Sequence, residues 1–355
     1  MIRVGISALT LVPGVVGGSE TAYRAILREL HRHPDIEPHV YLPTIAPDAA
    51  EGHAYSVIHA YRASTSTAGR LVAMGSSLVA GGRIRREMRL DQVDVLHFPF
   101  STMIPRVTEV PTVTSILDVQ HEYLPEFFSA PELRYRKLIY GRSARDSDLV
   151  IAISEHAKQT LVERLGVEES RIRVVHLGAD LDVFTPADTP RQEFLLYPAN
   201  RWPHKNHDRL FEALAILRRS RPDLRLVLTG SGHEGHPAPP GVDVAGRVST
   251  EELVALYRTA AALVYPSLFE GFGIPLVEAM ATGCPIAAAD SSSIPEVAGD
   301  AAVLFDPRSP EAIAAAIDEV LTNPAPYVEH GFQRAPQFTW AASCDRHVAV
   351  YRELA

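Results

Sequence analysis

Short apolar runs alternate with amphipathic stretches along nearly the whole chain. In the first half Ile2–Leu9, Val40–Leu42, Asp94–Phe98, Thr112–Leu117, Asp148–Ile153 and Val174–Leu177 read as strands. Glu20–His31 has helical spacing, with Ala22, Ile26, Leu27 and Leu30 on one side, and Ser19 stands as its expected N-cap. Ser154 is placed to cap a helix over Glu155–Leu165. In the second half Phe194–Ala199, Leu224–Leu228, Val242–Ala245, Ala262–Tyr265, Pro285–Ala288 and Ala302–Phe305 read as strands. The intervening helices begin at Asn206 or His207, at Glu251 behind a Ser249 or Thr250 cap, at Pro275 and at Ala312, with a last one over Thr339–Leu354. This alternation predicts an α/β protein of two doubly wound, Rossmann-like domains, 1–185 and 191–337, joined by the proline-punctuated stretch Pro186–Pro190.

Composition narrows the setting. The chain has 355 residues, 46% apolar and 22% charged, as in a soluble globular protein of two ordinary domains. No apolar run approaches the ~18 residues that would span a bilayer, and Ile2–Ser7 reads as a first strand rather than part of a signal peptide. Only Cys284 and Cys344 are present, which disfavours a disulfide framework and fits a cytoplasmic location. The net charge of −9 disfavours nonspecific nucleic-acid binding. Residues 62–90 stand apart: Arg70, Arg83, Arg85, Arg86 and Arg89 mingle with Leu71, Val72, Met74, Leu78, Val79 and Met88. Two readings are open there, a solvated face interrupted by Gly75, Gly81 and Gly82, or a basic helix in weak contact with the inner membrane face or an acidic acceptor.

The chemistry concentrates in FEGFGIPLVEAMATGCP, Phe269–Pro285. Glu270 and Glu278 lie eight positions apart around Gly271-Phe272-Gly273, and Pro275 suits the first helical position while Gly283 suits the stop. The amides of Leu276 and its neighbours are expected at the loop mouth, an anion site of the kind diphosphates occupy. In NRWPHKNHDRL, Arg201 and Lys205 occupy a loop between a strand and a helix, where a guanidinium and an ammonium suit a diphosphate. Gly14, Gly17 and Gly18 form a flexible loop after the first strand, without the spacing of a dinucleotide fingerprint. His97, Asp118 and His121 fall at the carboxyl ends of strands, where ligand groups gather in open sheets. No cluster with metal-ligand spacing is read along the chain, so neither a metal nor another cofactor is expected.

The Phe269–Pro285 string resembles the signature of glycosyltransferase family 4, retaining nucleotide-sugar-dependent enzymes of the GT-B fold. The resemblance implies an acceptor-side first domain facing a nucleotide-sugar-binding second domain across a cleft, with a final helix, 338–355, packing back on the first. It implies that Glu270 lies by the donor sugar and Glu278 on the ribose, that Arg201 and Lys205 bind the diphosphate and stabilise it as it leaves, and that Gly17 and Gly18 close over the phosphates. It places Gly271, Phe272, Gly273, Ile274 and Leu276 along the donor, and Val248 near the base. LDVQHEYLPEFF resembles the family stretch that usually carries a histidine before its aspartate; here that position is Leu117, Asp118 is retained, and His121 follows. Either His121 substitutes for the missing donor-sugar contact or this chain manages without one. PANRWPHKN resembles mannosyltransferase-like members, which makes GDP-mannose the first expected donor, with UDP- and dTDP-sugars open.

The expected activity is thus metal-independent, retaining hexosyl transfer to a glycan, lipid-linked or small-molecule acceptor. Charge stabilisation of the leaving diphosphate is its main catalytic contribution. Two other classes fit less well: a nucleotide-sugar epimerase of similar two-domain fold, which needs further acid/base carboxylates in the first domain, and a catalytically silent nucleotide-sugar-binding protein.

Overall fold

The structure, a computed structural model, describes residues 1–14 and 17–355; the side chains of Thr67, Ala68, Arg70, Leu71, Met74 and Leu78 lie outside the described residues. The chain divides into two compact units, residues 1–177 with 340–355, and residues 178–339.

In the first unit β1 (Ile2–Ser7), α1 (Gly18–Leu30), β2 (Ile36–Leu42), β3 (Ala54–Val57) and α2 (Thr67–Met88) lead to β4 (Val95–Phe98) and β5 (Thr112–Ile116). The short α3 (Gln120–Tyr123), α4 (Ala130–Asp146), β6 (Leu149–Ala152), α5 (Glu155–Leu165) and β7 (Ile172–Val174) follow. The seven strands are parallel, in the order β3-β2-β1-β4-β5-β6-β7.

The second unit contains β8 (Gln192–Pro198), α6 (His207–Leu217), β9 (Arg225–Thr229), β10 (Val242–Gly246), α7 (Thr250–Thr259), β11 (Ala260–Tyr265) and α8 (Ile274–Thr282). It continues with β12 (Ile286–Ala289), α9 (Ile294–Ala298), β13 (Ala302–Phe305), α10 (Pro310–Thr322) and α11 (Ala325–Arg334). Its six parallel strands run β10-β9-β8-β11-β12-β13. Both sheets are therefore doubly wound, as the alternation predicted, with the order reversing at β1/β4 and at β8/β11. Consecutive right-handed crossovers that move in opposite directions leave a crevice at such a point.

The last helix, α12 (Trp340–Leu354), packs on α1 and β1. The Tyr351 hydroxyl and His97 Nδ1 are 2.9 Å apart, and the second ring nitrogen of His97 lies 2.8 Å from Ser115 Oγ, so α12 is bonded to β4 and through it to β5. Arg352 pairs with Asp35 at 2.7 Å ahead of β2. Residues 178–185 pack with the second unit: Ala179 N–H donates to the Phe338 carbonyl at 3.0 Å and the Arg258 guanidinium to the Thr185 carbonyl at 2.7 Å.

Local chemistry corrects three expectations. Within the 62–90 stretch, Thr67–Met88 is one helix through its glycines, not an interrupted one. Ala73, Ser77, Gly81, Ile84 and Met88 form its buried side at helical spacing, and tertiary packing on Tyr41, Phe98 and Ile104 outweighs the low propensity of glycine. Val79, 93% exposed, and the half-exposed or exposed Arg83, Arg85, Arg86 and Arg89 face away. Ser19 is not the cap of α1: Gly17, at φ 57° and ψ −132°, turns the chain into the helix two residues earlier, and its carbonyl accepts from Glu20 N–H at 3.0 Å. Pro275 sits second in α8, because Gly273 at φ 114° lets the helix open at Ile274. Ser154 and Ser249 cap α5 and α7 as expected, the latter with a complete capping box to Glu252.

Candidate active site

Arg201 and Lys205 follow β8, Glu270 follows β11, and these strands are neighbours at the point where the second sheet reverses. Residues 65 positions apart in sequence therefore meet: Lys205 Nζ lies 2.5 Å from Glu270 Oε1, each side chain only 12% exposed. The ammonium also sits 5.5 Å from the centroid of the Tyr265 ring, a favourable cation–π placement. Burial alone would raise the Glu270 carboxyl, but Lys205, His204 and hydrogen bonding to Lys205 and Ser267 outweigh it and hold it below 4.5. It is an ionised carboxylate at neutral pH.

Several residues that the sequence did not single out fix this pair. Asn206 takes the left-handed conformation, φ 60°, that begins α6, and its amide donates to the carbonyls of Pro266 at 3.0 Å and Pro307 at 2.7 Å. The Tyr197 hydroxyl donates to the Lys205 carbonyl at 2.8 Å, while Leu268 N–H donates to the His204 carbonyl at 2.8 Å. On the other side Glu270 N–H donates to Ser292 Oγ at 2.8 Å, and Ser293 Oγ donates to the carbonyls of Glu270 at 3.0 Å and Phe272 at 2.9 Å. The serine run ahead of Pro295 was the readable sign that a loop here needed side-chain donors.

Arg201 stands apart from that pair. Its guanidinium lies 3.4 Å from Asp208 and 5.7 Å from the Phe211 ring centroid, and the Arg201 backbone N–H donates to the Ser231 carbonyl at 2.9 Å. Gly230 allows this approach of loops: a Cβ there would stand 2.8 Å from the Ala199 carbonyl carbon.

Glu278 lies one helical turn beyond the loop, on α8, where it meets a different environment. The Tyr257 hydroxyl donates to its Oε2 at 2.8 Å. Burial pushes the carboxyl up to about 7, and this hydrogen bond opposes only part of the rise. Leu276 N–H is not free as expected; it donates to the Gly273 carbonyl at 3.0 Å, tightening the first turn. Leu276 and Phe272 are buried, Gly271 and Ile274 half-buried, and Gly273 holds the sharp turn between them. Val248 is half-buried one residue before the α7 cap.

In the first unit Gly17 and Gly18 are exposed at the entrance of α1. Asp118 Oδ1 accepts from Gln120 N–H at 3.1 Å and shapes the turn into α3. His121 is 0% exposed, edge-on to Tyr140 at 5.2 Å between centroids, and neither ring nitrogen has a hydrogen-bond partner. Its Nε2 is 3.7 Å from Glu122 Oε1, yet burial holds the ring down to about 4, so it is neutral at pH 7. Leu117 instead lines a cavity of about 40 Å³ with His97, Ser115 and Tyr351.

Among the described residues no group of three or more His, Cys, Asp or Glu is arranged to hold a metal ion, and no helix is long and apolar enough to cross a membrane. Cys284 and Cys344 are both buried and free.

Two wholly parallel, doubly wound units of seven and six strands are the architecture of GT-B glycosyltransferases. The chain belongs to glycosyltransferase family 4: the description "Glycosyltransferase Family 4" matches residues 16–183 and "Glycosyl transferases group 1" matches residues 184–334. It is similar to the O-antigen chain mannosyltransferase B of Escherichia coli, 28% identical over 68% of this chain and 70% of that protein. It is also similar to the D-inositol 3-phosphate glycosyltransferase of Mycolicibacterium smegmatis, 32% identical over 62% of this chain and 56% of that protein. The match to the latter thus spans little more than half its length. Among solved structures, Anabaena HepE in complex with UDP-glucose has the same fold, with a TM-score of 0.74 over 100% of both chains at 17% identity.

Proposed function

We propose that the chain transfers a hexose from a nucleoside diphosphate sugar to a hydroxyl of a glycan, lipid-linked or small-molecule acceptor, with retention at the anomeric carbon and without a metal ion. The observation that carries this reading is the Lys205–Glu270 pair at the second sheet's reversal point, beside the start of α8. Lys205 and Arg201 bind the diphosphate, and the positive end of α8 adds to their field. Glu270 keeps the ammonium aimed before the donor arrives and turns its second oxygen to the donor sugar. Glu278 accepts from the ribose hydroxyls, and the backbone near Val248 meets the base.

As the bond from the anomeric carbon to phosphate breaks, charge grows on the departing diphosphate, and cations already in place stabilise it without reorganising. The acceptor oxygen bonds to the same face of that carbon, and its proton passes to the departing phosphate oxygen. Mannose from GDP-mannose is the first donor to test. The local string PANRWPHKN and the similarity to a mannosyltransferase support it, while the UDP-glucose complex of HepE keeps UDP-sugars in the panel.

A thermal-shift panel of GDP-mannose, UDP-glucose and dTDP-glucose tests the donor, since ligand at 100 times its Kd stabilises by about 2.7 kcal/mol. GDP-mannose should give the largest shift. Anomeric NMR of the first-formed product should show retention, and EDTA should leave turnover unchanged; inversion, or activity lost to EDTA and restored by Mg²⁺, would overturn those parts of the reading.

A further inference from the structure

Tyr257 is a fully buried phenol near the end of α7, and its hydroxyl points at two acceptors on α8: Glu278 Oε2 at 2.8 Å and the Pro275 carbonyl at 3.3 Å. A tyrosine placed only to fill the core would be served equally well by phenylalanine. Here the hydroxyl fixes one carboxylate oxygen and leaves the other for a ligand. It also ties Glu278 to α7, the helix whose capped N-terminus follows Val248 directly. We propose that Tyr257 is a positioning residue for nucleotide binding: it holds the Glu278 carboxylate in the rotamer and the ionised form that accept the ribose hydroxyls. The proposal rests on the ribose assignment of Glu278 made above.

The surroundings make the hydroxyl matter. The titratable groups that interact with Glu278 among the described residues are Tyr257 of α7 and Tyr265 of β11, both phenols held well above 10 and neutral. Lys205, 5.5 Å from the Tyr265 ring centroid, is engaged by Glu270. Tyr257 is thus the hydrogen-bond donor that favours the charged form of Glu278 against the cost of burial. Replacing Tyr257 by phenylalanine keeps the ring and its packing against Phe184, 5.9 Å away between centroids, and removes that one donor.

Calorimetric binding of free GDP, UDP and dTDP to the full chain tests this, at pH values on both sides of 7. Tyr257→Phe should weaken the preferred nucleotide about tenfold, the loss expected for a hydrogen bond to a charged group. It should also move the pH midpoint of binding upward, and it should raise KM more than it lowers kcat. Added to Glu278→Ala, Tyr257→Phe should cost nothing further, because its effect passes through that carboxylate. Tyr257→Phe with unchanged affinity and midpoint, beside a weakened Glu278→Ala, would overturn the positioning role. An equal loss in the Glu278→Ala background would mean that Tyr257 acts only through packing, and would overturn it too. Unchanged affinity in Glu278→Ala itself would instead remove the ribose assignment, and the proposal with it.

Discussion

At the β8/β11 reversal Lys205 and Glu270 are nearly buried and bonded to each other, whereas after β5 His121 is buried with neither ring nitrogen bonded. Each stretch lies just past the carboxyl end of a strand, His121 in the short α3, and each was readable as a candidate for chemistry. The difference lies in how burial is accommodated. Glu270 stays charged because Lys205, His204 and a hydrogen bond with Ser267 meet it, and in return it holds in a low-dielectric site the ammonium that stabilising a departing diphosphate needs. His121 sheds its proton instead and lies against Tyr140 as a neutral ring. Burial and a perturbed pKa occur at both places; only the paired one has the character of a site.

Removing one partner of the pair should have the largest effect. Lys205→Ala leaves the Glu270 carboxylate uncompensated and should destabilise the chain by about 3 kcal/mol, with turnover down about a hundredfold as the diphosphate loses a charge-assisted contact. Lys205→Met with Glu270→Gln should recover most of the melting temperature and none of the turnover. Recovery of both would mean the pair is structural.

His121→Ala should cost about 2–3 kcal/mol through the cavity it leaves, while His121→Phe should keep both stability and turnover per folded molecule. A tenfold fall in turnover for a fully folded His121→Phe would place the ring at the donor sugar after all, in the role left open by Leu117.

Arg201→Ala comes next. With its guanidinium on Asp208 and Phe211 rather than in the buried pair, it should lower turnover about tenfold, equivalent to ~1.4 kcal/mol, with little change in melting temperature. A loss as large as that of Lys205→Ala would show that the two cations act as one unit.

The smallest effect concerns pH. Glu278 has its folded value raised from 4.5 to about 7, so the unfolded chain ionises first and this group's contribution to stability declines as pH rises between those values. Glu278→Gln should therefore melt higher than the parent above pH 7 and match it below 4.5. Nucleotide affinity should move oppositely, rising through pH 7 as the carboxylate forms. The histidines set the acid limit. His121 and His347 are lowered to about 4 and His207 to about 3, so the unfolded chain takes up protons first below 6.5, and stability falls as pH falls from there.

The periodicity of the strands made both sheets legible, since buried parallel strands are short apolar runs. Ala302–Phe305 was placed to the residue. β3 was missed because Ala54–Val57 lies at a sheet edge, exposed or half-buried, and carries no such run. α4 was missed because Leu133, Arg136 and Arg142 blur its pattern, and its burial rests on small residues such as Gly141, Ser143 and Ala144. Glu270 and Lys205 could be named separately, but their pairing depends on β8 and β11 being neighbours, a fact of topology. Tyr257 could not be singled out, because nothing local distinguishes a tyrosine whose hydroxyl has a buried partner from one that fills a core.

The return of α12 to the first unit has a consequence for synthesis. Its Tyr351 completes the hydrogen-bonded chain through His97 to Ser115, yet it is translated after the whole of the second unit. At ~5–20 residues per second, the roughly 160 residues between take on the order of ten to thirty seconds to make. For that interval the nascent first unit has its strands but lacks the helix that covers α1 and β1, so its apolar face waits, open to chaperones, until α12 emerges.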